Sequence, residues 1–382
     1  MNTLVRVTSA PVDASAAPAD RAASDPDRVS ATSDPATRVL VVGGAGQVGS
    51  AIVAALAPLL PGRVVVAGRG LERARQAAAV VGHGVTALRL DVADPALAAD
   101  PPPAAAVVMC IDDRPPGLVA AWLARGVRYV DVTATPARIA EIEALDGVAR
   151  EGGGSALLSV GVAPGLTNLL AASVADGFDA PPEIELLVQL GLGDVHGPAA
   201  VEWTLDGLAD PTALRDSRSF ALPGRRRPLR AYRFPFPEQG ILPRTLGVAS
   251  ASTWLALDPA PATGLFVLAA RAGLGRLVAR GRPRSRAAAL RLLAAGGAAP
   301  GSDACVLAAR ARGLRDGRPH ERQASLAGRR EAELTGLVAA VATRALLHDD
   351  PPAGVHHIEQ VLKLDAVVAS LRAAGAQLHS GE

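Results

Sequence analysis

The stretch Arg38-Val-Leu-Val-Val-Gly-Gly-Ala-Gly-Gln-Val-Gly49 decides the fold of this chain. After Arg38, four apolar residues rich in β-branched side chains are typical of a strand buried on both faces of a parallel sheet. A glycine-rich turn follows, and Ser50–Ala57 then has apolar residues at helical spacing until Pro58. This order of strand, turn and helix predicts the first half of a βαβ unit.

The glycine-rich turn contains Gly44, Gly46 and Gly49 in a G-x-G-x-x-G pattern. The first glycine permits the tight turn, the second lets the backbone approach a pyrophosphate, and the third lets the helix pack close to the strand. We expect the pyrophosphate of a dinucleotide to lie at the positive N-terminal end of this helix. Gln47 and Val48, which begin the helix, are also predicted cofactor contacts.

The end of the second predicted strand, Arg63–Ala67, indicates which dinucleotide binds. An enzyme specific for NAD carries a carboxylate about twenty residues past the glycines, for the ribose 2′-hydroxyl. This chain has Gly68 and then Arg69 there. A guanidinium group binds a 2′-phosphate through charge-assisted hydrogen bonds, so the sequence predicts NADP(H) as the cofactor. The alternative is that Arg69 is a solvated residue at a strand end.

The alternation of strands and helices continues through the first half of the chain. Further strands are predicted at Thr86–Leu90, Ala105–Ile111, Arg128–Thr133 and Ala156–Val160, with helices at Leu71–Val81 and Leu118–Arg125. Six successive β-units with short turns predict a doubly wound parallel sheet, the Rossmann architecture. Ligands bind at the carboxyl ends of such strands. Asp91 and Val92 are therefore predicted near the adenine, and Cys110 and Ile111 near the nicotinamide.

Cys110 has two interpretations. A cysteine at a strand end can be a nucleophile, which requires a histidine base within reach. Only His83 precedes it nearby in the sequence. A buried cysteine packed beneath the cofactor is the commoner state.

Several segments together resemble the saccharopine dehydrogenase-like reductases. They are Val39–Leu56, Val65–Arg69, Tyr129–Thr133 and above all Gly161-Val-Ala-Pro-Gly-Leu-Thr-Asn-Leu-Leu170, continued more loosely by Ile184–Gly191, Cys305–Arg312, Glu321–Gly328, Glu331–Leu347 and a last helix at His356–Leu362. The resemblance implies an N-terminal NADP domain, a mixed α/β substrate domain that often dimerises, and a C-terminal helix that returns to the first domain. It also implies hydride transfer at carbon–nitrogen bonds of a small molecule.

One turn departs from the pattern of this family. Saccharopine and carboxynorspermidine enzymes generally have Asp-Pro-Gly where this chain has Ala163-Pro164-Gly165, and the lysine 6-dehydrogenase type has Ala-Pro-Gly but uses NAD. The substrate is therefore not transferred from any of them. Pro164 and Gly165 are predicted to expose backbone amides to the substrate, and Asn168 to present a polar group to cofactor or substrate.

Other candidate site residues are spread along the chain. Asp131 and the loop histidine His196 are the predicted proton donors, although His196 also fits a solvent-facing position. Thr133 is a predicted substrate contact at a strand end. Trp203 is either a wall of the substrate pocket or a core residue. Thr335 is predicted to face the substrate, because Gly336 beside it suggests a close approach of backbone or ligand inside a helix.

Three further features of the second half leave their roles open. Arg225-Arg-Arg227 is either a receptor for a substrate carboxylate or phosphate, or a solvated charge run. Ala262–Leu293 predicts two arginine-rich amphipathic helices that form a dimer surface, a lid or a membrane-skimming patch. Asp303–Arg312 and Glu321–Arg329, joined through Asp316-Gly317, predict a hairpin.

Composition limits the class of protein. A net charge of +2 and few aromatic residues argue against nucleic-acid binding. Two cysteines and scattered histidines predict neither disulfides nor a metal site. No segment reads as a signal peptide or a continuous apolar span, so we expect a soluble, cytoplasmic protein without stable membrane insertion, and from the resemblance a homodimer.

Predicted divisions are a disordered tail at 1–36, the NADP domain at 37–160, the substrate domain at 161–348 and a C-terminal segment at 349–382.

The sequence as a whole predicts an NADP-dependent oxidoreductase that transfers hydride at a carbon–nitrogen centre of a small metabolite. Two alternatives remain open at this stage. One is an NADPH-dependent reductase of C=C or C=O bonds on the same scaffold. The other is a regulator that binds NADP without turnover.

Overall fold

The computed structural model describes residues 34–112, 117–194, 198–208, 210, 212–272, 301–349 and 351–381. Strands in these ranges are β1 Val39–Val42, β2 Val64–Gly68, β3 Thr86–Arg89, β4 Ala106–Met109, β5 Arg128–Asp131, β6 Ser155–Leu158, β7 Glu183–Gly191, β8 Ser217–Phe220, β9 Leu229–Arg233, β10 Ser250–Asp258, β11 Ala304–Arg315, β12 Arg318–Arg329, β13 Gly354–His357 and β14 Gln377–Gly381.

The helices of the described ranges lie between these strands and after them. They are α1 Gln47–Leu56, α2 Leu71–Val81, α3 Ala96–Ala99, α4 Leu118–Leu123, α5 Pro136–Glu143, α6 Asp146–Gly152, α7 Thr167–Ala175, α8 Pro198–Gly207, α9 Glu238–Thr245, α10 Ala260–Arg271, α11 Glu331–His348, α12 Ile358–Val361 and α13 Leu364–Ala373.

The first sheet is parallel and has the order β13-β6-β5-β4-β1-β2-β3. Every residue of β1, β4 and β6 is buried, which explains why these strands read as uninterrupted apolar runs. The strand order reverses between β1 and β4, so a crevice opens there at the carboxyl ends of the strands. The doubly wound parallel sheet predicted from the sequence is confirmed, with each of the six predicted strands within three residues of its expected bounds.

The second sheet is mixed and has the order β14-β12-β11-β7-β10-β9-β8. Strands β7 and β10 run parallel, and the remaining pairs of neighbours are antiparallel. The predicted hairpin is β11–β12, in which Asp316 and Gly317 both have positive φ angles, 53° and 70°. That is the backbone of a type I′ turn, for which an Asp-Gly pair is suited. The predicted combination of a Rossmann sheet with a mixed sheet is confirmed.

Helix α11 joins the two parts of the molecule, because it follows β12 of the mixed sheet and packs along α1 of the parallel one. At the contact, a Cβ atom on Gly336 would lie 2.7 Å from the carbonyl carbon of Ala51. The glycine is therefore required for a close approach of two helix backbones, as the sequence suggested.

The C-terminal segment corrects one prediction. His356–Leu362 was expected to be a single helix, but His356 and His357 end strand β13, and helix α12 begins only at Ile358. The reason is non-local, since Gly354–His357 pairs with Ser155–Leu158 at the edge of the parallel sheet. The segment then returns through α13 to β14, which extends the mixed sheet.

The arginine-rich stretch is only partly within the described residues. Helix α10 covers Ala260–Arg271 and confirms the beginning of the first predicted helix, while residues 273–300 lie outside the described ranges. Leu265 and Leu268 of α10 are about two-thirds exposed, at 69% and 66%.

Within the described ranges, no helix combines the length and the apolar character that a bilayer crossing requires.

Candidate cofactor and substrate site

The glycine turn after β1 has no space for larger residues. Gly43 has a φ angle of +81°, and a Cβ atom there would lie 2.9 Å from Cγ2 of Ile111. A Cβ on Gly44 would lie 2.8 Å from the carbonyl oxygen of Val41, and one on Gly49 would lie 2.2 Å from that of Gly43. The turn and the first turn of α1 are therefore in backbone contact.

The N-terminus of α1 suits an anionic group. Gly46 occupies the N-cap, no side chain caps the helix, and the first turn carries no acidic residue. The first backbone N–H groups of a helix have no partner within it, and the helix dipole favours negative charge there. A glycine cradle before an uncapped helix fits the pyrophosphate of a dinucleotide. The predicted contacts Gln47 and Val48 lie in this first turn.

The end of β2 carries the residues predicted to select the cofactor. A Cβ atom on Gly68 would meet nothing within 4 Å, so the space beside it is open. Arg69 follows, is exposed, and forms no hydrogen bond or ion pair with the described residues. On the neighbouring strand β3, Arg89 is paired in register with Gly68. One guanidinium group thus follows β2 and another ends β3, and neither position 68 nor position 69 carries a carboxylate.

The other predicted adenosine contacts follow β3. Asp91 is exposed and its carboxylate accepts a hydrogen bond from the backbone N–H of Ala93 at 3.2 Å. Val92 is buried. Both lie at the carboxyl edge of the sheet, on the same side of β1 as Arg69, where the adenosine half of a dinucleotide is expected.

Cys110 and Ile111 lie against the glycine turn. A Cβ on Gly43 would be 3.5 Å from Cβ of Cys110 as well as touching Ile111. Burial raises the pKa of the Cys110 thiol far above its usual range, and the charge of Asp131 adds to this effect. The thiol is therefore protonated at neutral pH. This favours packing beneath the cofactor over the nucleophile interpretation.

Asp131 and Thr133 form a hydrogen-bonded turn after β5. The carboxylate of Asp131 accepts a hydrogen bond from the hydroxyl of Tyr129 at 2.6 Å and one from the backbone N–H of Thr133 at 2.8 Å. The hydroxyl of Thr133 accepts one from the backbone N–H of Thr135, whose own hydroxyl donates to Asp112 at 2.5 Å. The network fixes the strand end beside Cys110. Catalysis by Asp131 and substrate contact by Thr133 stay predictions.

The turn between β6 and α7 brings several predicted substrate contacts together. Pro164 and Gly165 are buried, and the backbone N–H of Gly165 donates to the side-chain oxygen of Asn168 at 3.0 Å. Thr335 at the beginning of α11 lies beside the same turn, because a Cβ on Gly161 would be 3.7 Å from its hydroxyl oxygen. The turn therefore follows the carboxyl end of β6, and Thr335 lies against it.

A chain of hydrogen bonds that the sequence did not predict lies beside this turn. The hydroxyl Oγ of Ser159 is 2.8 Å from Nδ1 of His357, and Nε2 of His357 is 2.8 Å from Oε1 of Glu143. Arg244 of α9 donates to both oxygens of Glu143, at 2.7 and 3.3 Å. Burial alone would raise the pKa of Glu143, but Arg244 and His357 outweigh it and hold that pKa below its usual value.

A second unpredicted group is the carboxyl pair Glu238 and Glu359. Glu359 accepts hydrogen bonds from Asn168 at 3.0 Å and from the hydroxyl of Thr245 at 2.6 Å. Glu238 is fully buried, and its oxygens have no close hydrogen-bond partner among the described residues, although the hydroxyls of Thr167 and Thr253 lie near enough to favour its charged form. Burial raises the pKa of Glu238 to about 7, and the charge of Glu359 adds to this rise. The raised pKa of Glu238 thus occurs where α9 packs against α7.

The remaining sequence candidates lie elsewhere. Trp203 packs against Phe234 and Phe236, with ring centroids 5.4 and 4.8 Å away, so its side chain belongs to an aromatic cluster. Its role as a pocket wall stays a prediction. Arg225 donates to the side-chain oxygen of Gln189 at 2.6 Å on the mixed sheet. His196 lies outside the described residues.

The described part of the chain holds no group of three or more His, Cys, Asp or Glu side chains that could bind a metal ion. Its two cysteines are both free thiols. The polar groups that meet at the crevice are hydroxyls, carboxyls, one imidazole and backbone amides. They can bind, orient and exchange protons, whereas hydride chemistry requires a cofactor.

Comparison with solved structures identifies the architecture. The apo saccharopine dehydrogenase (L-Glu forming) of Saccharomyces cerevisiae superposes with a TM-score of 0.60 at 16% sequence identity, and the match covers 91% of this chain and 100% of that one. The chain has the saccharopine dehydrogenase fold. This confirms, for the fold, the resemblance predicted from the sequence.

Two other structures with that general outline match less well. GenD2 from gentamicin A biosynthesis in complex with NAD has 14% identity and a TM-score of 0.40 over 92% of this chain and 98% of its own. The DAP dehydrogenase of C. glutamicum in complex with DAP has 15% identity and a TM-score of 0.40, over 88% and 99%. At these scores neither supports a conclusion. The sequence matches no protein-family model and no curated protein.

Proposed function

We propose that this protein is an NADP(H)-dependent oxidoreductase that acts at a carbon–nitrogen bond of a small molecule. The observation that carries the proposal is the carboxyl edge of the parallel sheet. A glycine cradle, an uncapped helix and the unpaired Arg69 lie on one side of the strand-order reversal. Buried proton-exchanging groups lie on the other. A dinucleotide laid across this edge has its phosphates at α1 and its nicotinamide at the ends of β4, β5 and β6.

Different residues of the chain bind different parts of the cofactor and the substrate. The glycine turn and α1 bind the pyrophosphate, and Arg69 binds the 2′-phosphate with charge-assisted hydrogen bonds. Cys110 and Ile111 pack under the nicotinamide end. The turn at Pro164 and Gly165, with Asn168 and Thr335, orients the substrate and excludes water.

The bound cofactor supplies the hydride or accepts it, so the protein has to provide orientation and a path for one proton. An iminium carbon is already electrophilic, and its reduction needs little more than correct placement. The resemblance to saccharopine dehydrogenase-like reductases, together with the shared fold, supports a carbon–nitrogen bond over C=C or C=O bonds. It also supports a homodimer, which sedimentation of the purified chain tests directly.

Turnover assays test the reaction class. The purified chain is offered NADPH with amines paired with keto acids or aldehydes, and the loss of NADPH absorbance is followed. We expect oxidation of NADPH only when an amine is present. Oxidation by an aldehyde or an enone without amine would instead identify a C=O or C=C reductase. Tight binding of NADPH with no turnover in any mixture would identify a regulator.

Cofactor titrations test the choice of NADP(H). Quenching of protein fluorescence gives dissociation constants for NADPH and NADH with the wild type and with Arg69→Ala. We expect the substitution to weaken the binding free energy of NADPH by about 1.5–3 kcal/mol, which is the contribution of a hydrogen bond to a charged group. The binding of NADH should change little. Arg372→Ala, at an exposed arginine of α13, is the matched control. Equal affinities for NADPH and NADH in the wild type would refute the assignment.

A further inference from the structure

The hydrogen-bonded chain Ser159–His357–Glu143 links the buried carboxyl end of β6 to a partly exposed carboxylate. Ser159 and His357 are buried, at 1% and 5% exposure, whereas the Glu143 side chain is 25% exposed. Ser159 follows β6 directly, and His357 ends the neighbouring strand β13. Both groups therefore lie at the carboxyl edge of the sheet, where the nicotinamide of a bound dinucleotide is expected.

The backbone of Ser159 adopts an unusual conformation. Its φ angle is +57°, in the left-handed region that costs a residue with a side chain about 1–2 kcal/mol. Such conformations persist where the surrounding structure imposes them, and they cluster at functional sites. The turn predicted to hold the substrate covers this residue, since a Cβ atom on Gly165 would lie 3.1 Å from the carbonyl oxygen of Ser159.

The direction of each hydrogen bond follows from charge. Arg244 and His357 hold the pKa of Glu143 below its usual value, although burial acts against them, so Glu143 is ionised at neutral pH and can only accept. Nε2 of His357 must then carry a hydrogen, and in a ring with one hydrogen Nδ1 accepts the hydroxyl hydrogen of Ser159. This is the logic of a serine, a base and a carboxylate that orients the base.

Charged groups of the elements around His357 complete this picture. Glu143 on α5 is bonded to the ring, and Arg244 on α9 reaches it only through Glu143. Asp146 on α6 is paired with Arg150 and accepts from the backbone of Val355, while His356 on the same strand contacts the carbonyl of Pro352. Glu359 on α12 is held by Asn168 and Thr245. Among the described residues, Glu143 is thus the negative charge that would stabilise a protonated His357.

We infer that Ser159 and His357 form the proton relay of the active site, with Glu143 as the positioning residue that stabilises the charged imidazole. The inference rests on the proposed oxidoreductase function. In the oxidative direction, a hydride carrying two electrons leaves the substrate carbon for the cofactor, and the N–H proton passes to Oγ of Ser159. The hydroxyl hydrogen of Ser159 passes at the same time to Nδ1 of His357. Reduction runs these transfers backwards, so atoms and charge balance in both directions.

Two variants test the relay with the amine and carbonyl pair that the wild type turns over. His357→Gln keeps a hydrogen-bonding side chain but cannot hold the proton. Ser159→Gly removes the hydroxyl and suits the left-handed backbone. Because general acid–base catalysis contributes 10²–10⁴-fold, we expect kcat to fall by about 10²-fold or more in each variant, with the dissociation constant of NADPH unchanged. The neighbouring His356→Gln is the matched control and retains the wild-type kcat.

The pH profile separates the relay from a structural role. In the wild type, the plot of kcat against pH should show a decrease that depends on one basic group. This decrease should disappear in His357→Gln and persist in His356→Gln. Nitrogen NMR of the histidine rings gives a readout without substrate, since the relay requires the neutral Nε2–H tautomer at His357. An Nδ1–H tautomer, or a His357→Gln enzyme with wild-type kcat and profile, overturns the relay while leaving the oxidoreductase proposal intact. A wild type without turnover overturns the oxidoreductase proposal, and the relay falls with it.

Discussion

The carbonyl oxygen of Gly43 and the α-carbon of Gly49 are so close that a Cβ atom on Gly49 would lie 2.2 Å from the oxygen. Real Cβ atoms do not approach an oxygen to this distance. Both atoms belong to backbone, so no flexible side chain can move aside. The contact fixes the position of α1 relative to the strand before it, and with it the direction of the N–H groups that we propose as the phosphate site.

Replacing Gly49 with alanine should therefore disturb both folding and cofactor binding. We expect the free energy of unfolding to fall by about 1–3 kcal/mol, the usual cost of overpacking, and NADPH binding to weaken as α1 moves outward. Urea titration and fluorescence titration measure the two effects. Gly147→Ala, in helix α6 with nothing within 4 Å of the added atom, is the control and should gain about 0.5–1 kcal/mol. Equal effects of the two substitutions would contradict the packing argument.

Glu238 should make the protein less stable as the pH rises. Its pKa in the folded state is raised to about 7, above its ordinary value of 4.5, so the folded protein binds more protons between these values. The stabilisation is fully present below about pH 4.5 and is lost as the pH rises through 7, which amounts to roughly 3 kcal/mol. Glu238→Gln, which stays neutral, should lose this dependence and be the more stable protein at pH 8.

Urea titrations at pH 5 and pH 8 measure this difference. Glu151→Gln, at an exposed glutamate of α6, is the matched control and should follow the wild type at both pH values. If Glu238→Gln and the wild type lose equal stability between pH 5 and pH 8, Glu238 is ionised in the folded protein throughout and the argument from burial is wrong.

The buried ion pair of the mixed sheet should be costly to break. Arg310 donates through Nε to Glu185 at 2.9 Å, and a second bond from its Nη2 joins the same carboxylate. Removing one partner leaves a buried charge, so Arg310→Met should cost about 3–5 kcal/mol, reduced to the extent that Arg218 and Arg312 compensate. Arg329→Met breaks the exposed pair with Asp303 and should cost about 1 kcal/mol or less. Thermal and urea unfolding distinguish these outcomes.

Replacing Gly336 with alanine should destabilise the protein, although alanine has a higher helix propensity than glycine. A Cβ atom there would meet the backbone of Ala51 at 2.7 Å, so Gly336→Ala has to separate α11 from α1. We expect a net loss of about 1–3 kcal/mol, because the overpacking exceeds the gain in helix propensity. Gly264→Ala, in α10 with no atom within 4 Å, should be stabilising instead. A stabilised Gly336→Ala would show that the two helices can separate without cost.

The features that the sequence predicted are those encoded within a few residues. The run from Arg38 to Gly49 contains its strand, its turn and the start of its helix. The hairpin β11–β12 is marked by Asp316-Gly317, whose positive φ angles demand such residues. Even the close approach at Gly336 could be inferred, because a glycine inside a helix needs a local reason.

The features that the sequence did not predict depend on contacts between distant segments. His357 is separated from Ser159 by 198 positions and from Glu143 by 214, so no spacing rule connects them. Two adjacent histidines gave no signal, because their importance depends on which strand β13 pairs with. Glu238 likewise resembles any glutamate at a helix start, and only its burial changes its acidity.

The last thirty residues of the chain supply an edge strand to each sheet, β13 to the parallel one and β14 to the mixed one. During synthesis, neither sheet can gain this edge strand until residues 354–381 have been made, and both sheets have an open edge until then. Open edges invite pairing with other nascent chains. His357 belongs to the same segment, so strands β1 to β6 can pair before Ser159 has its histidine partner.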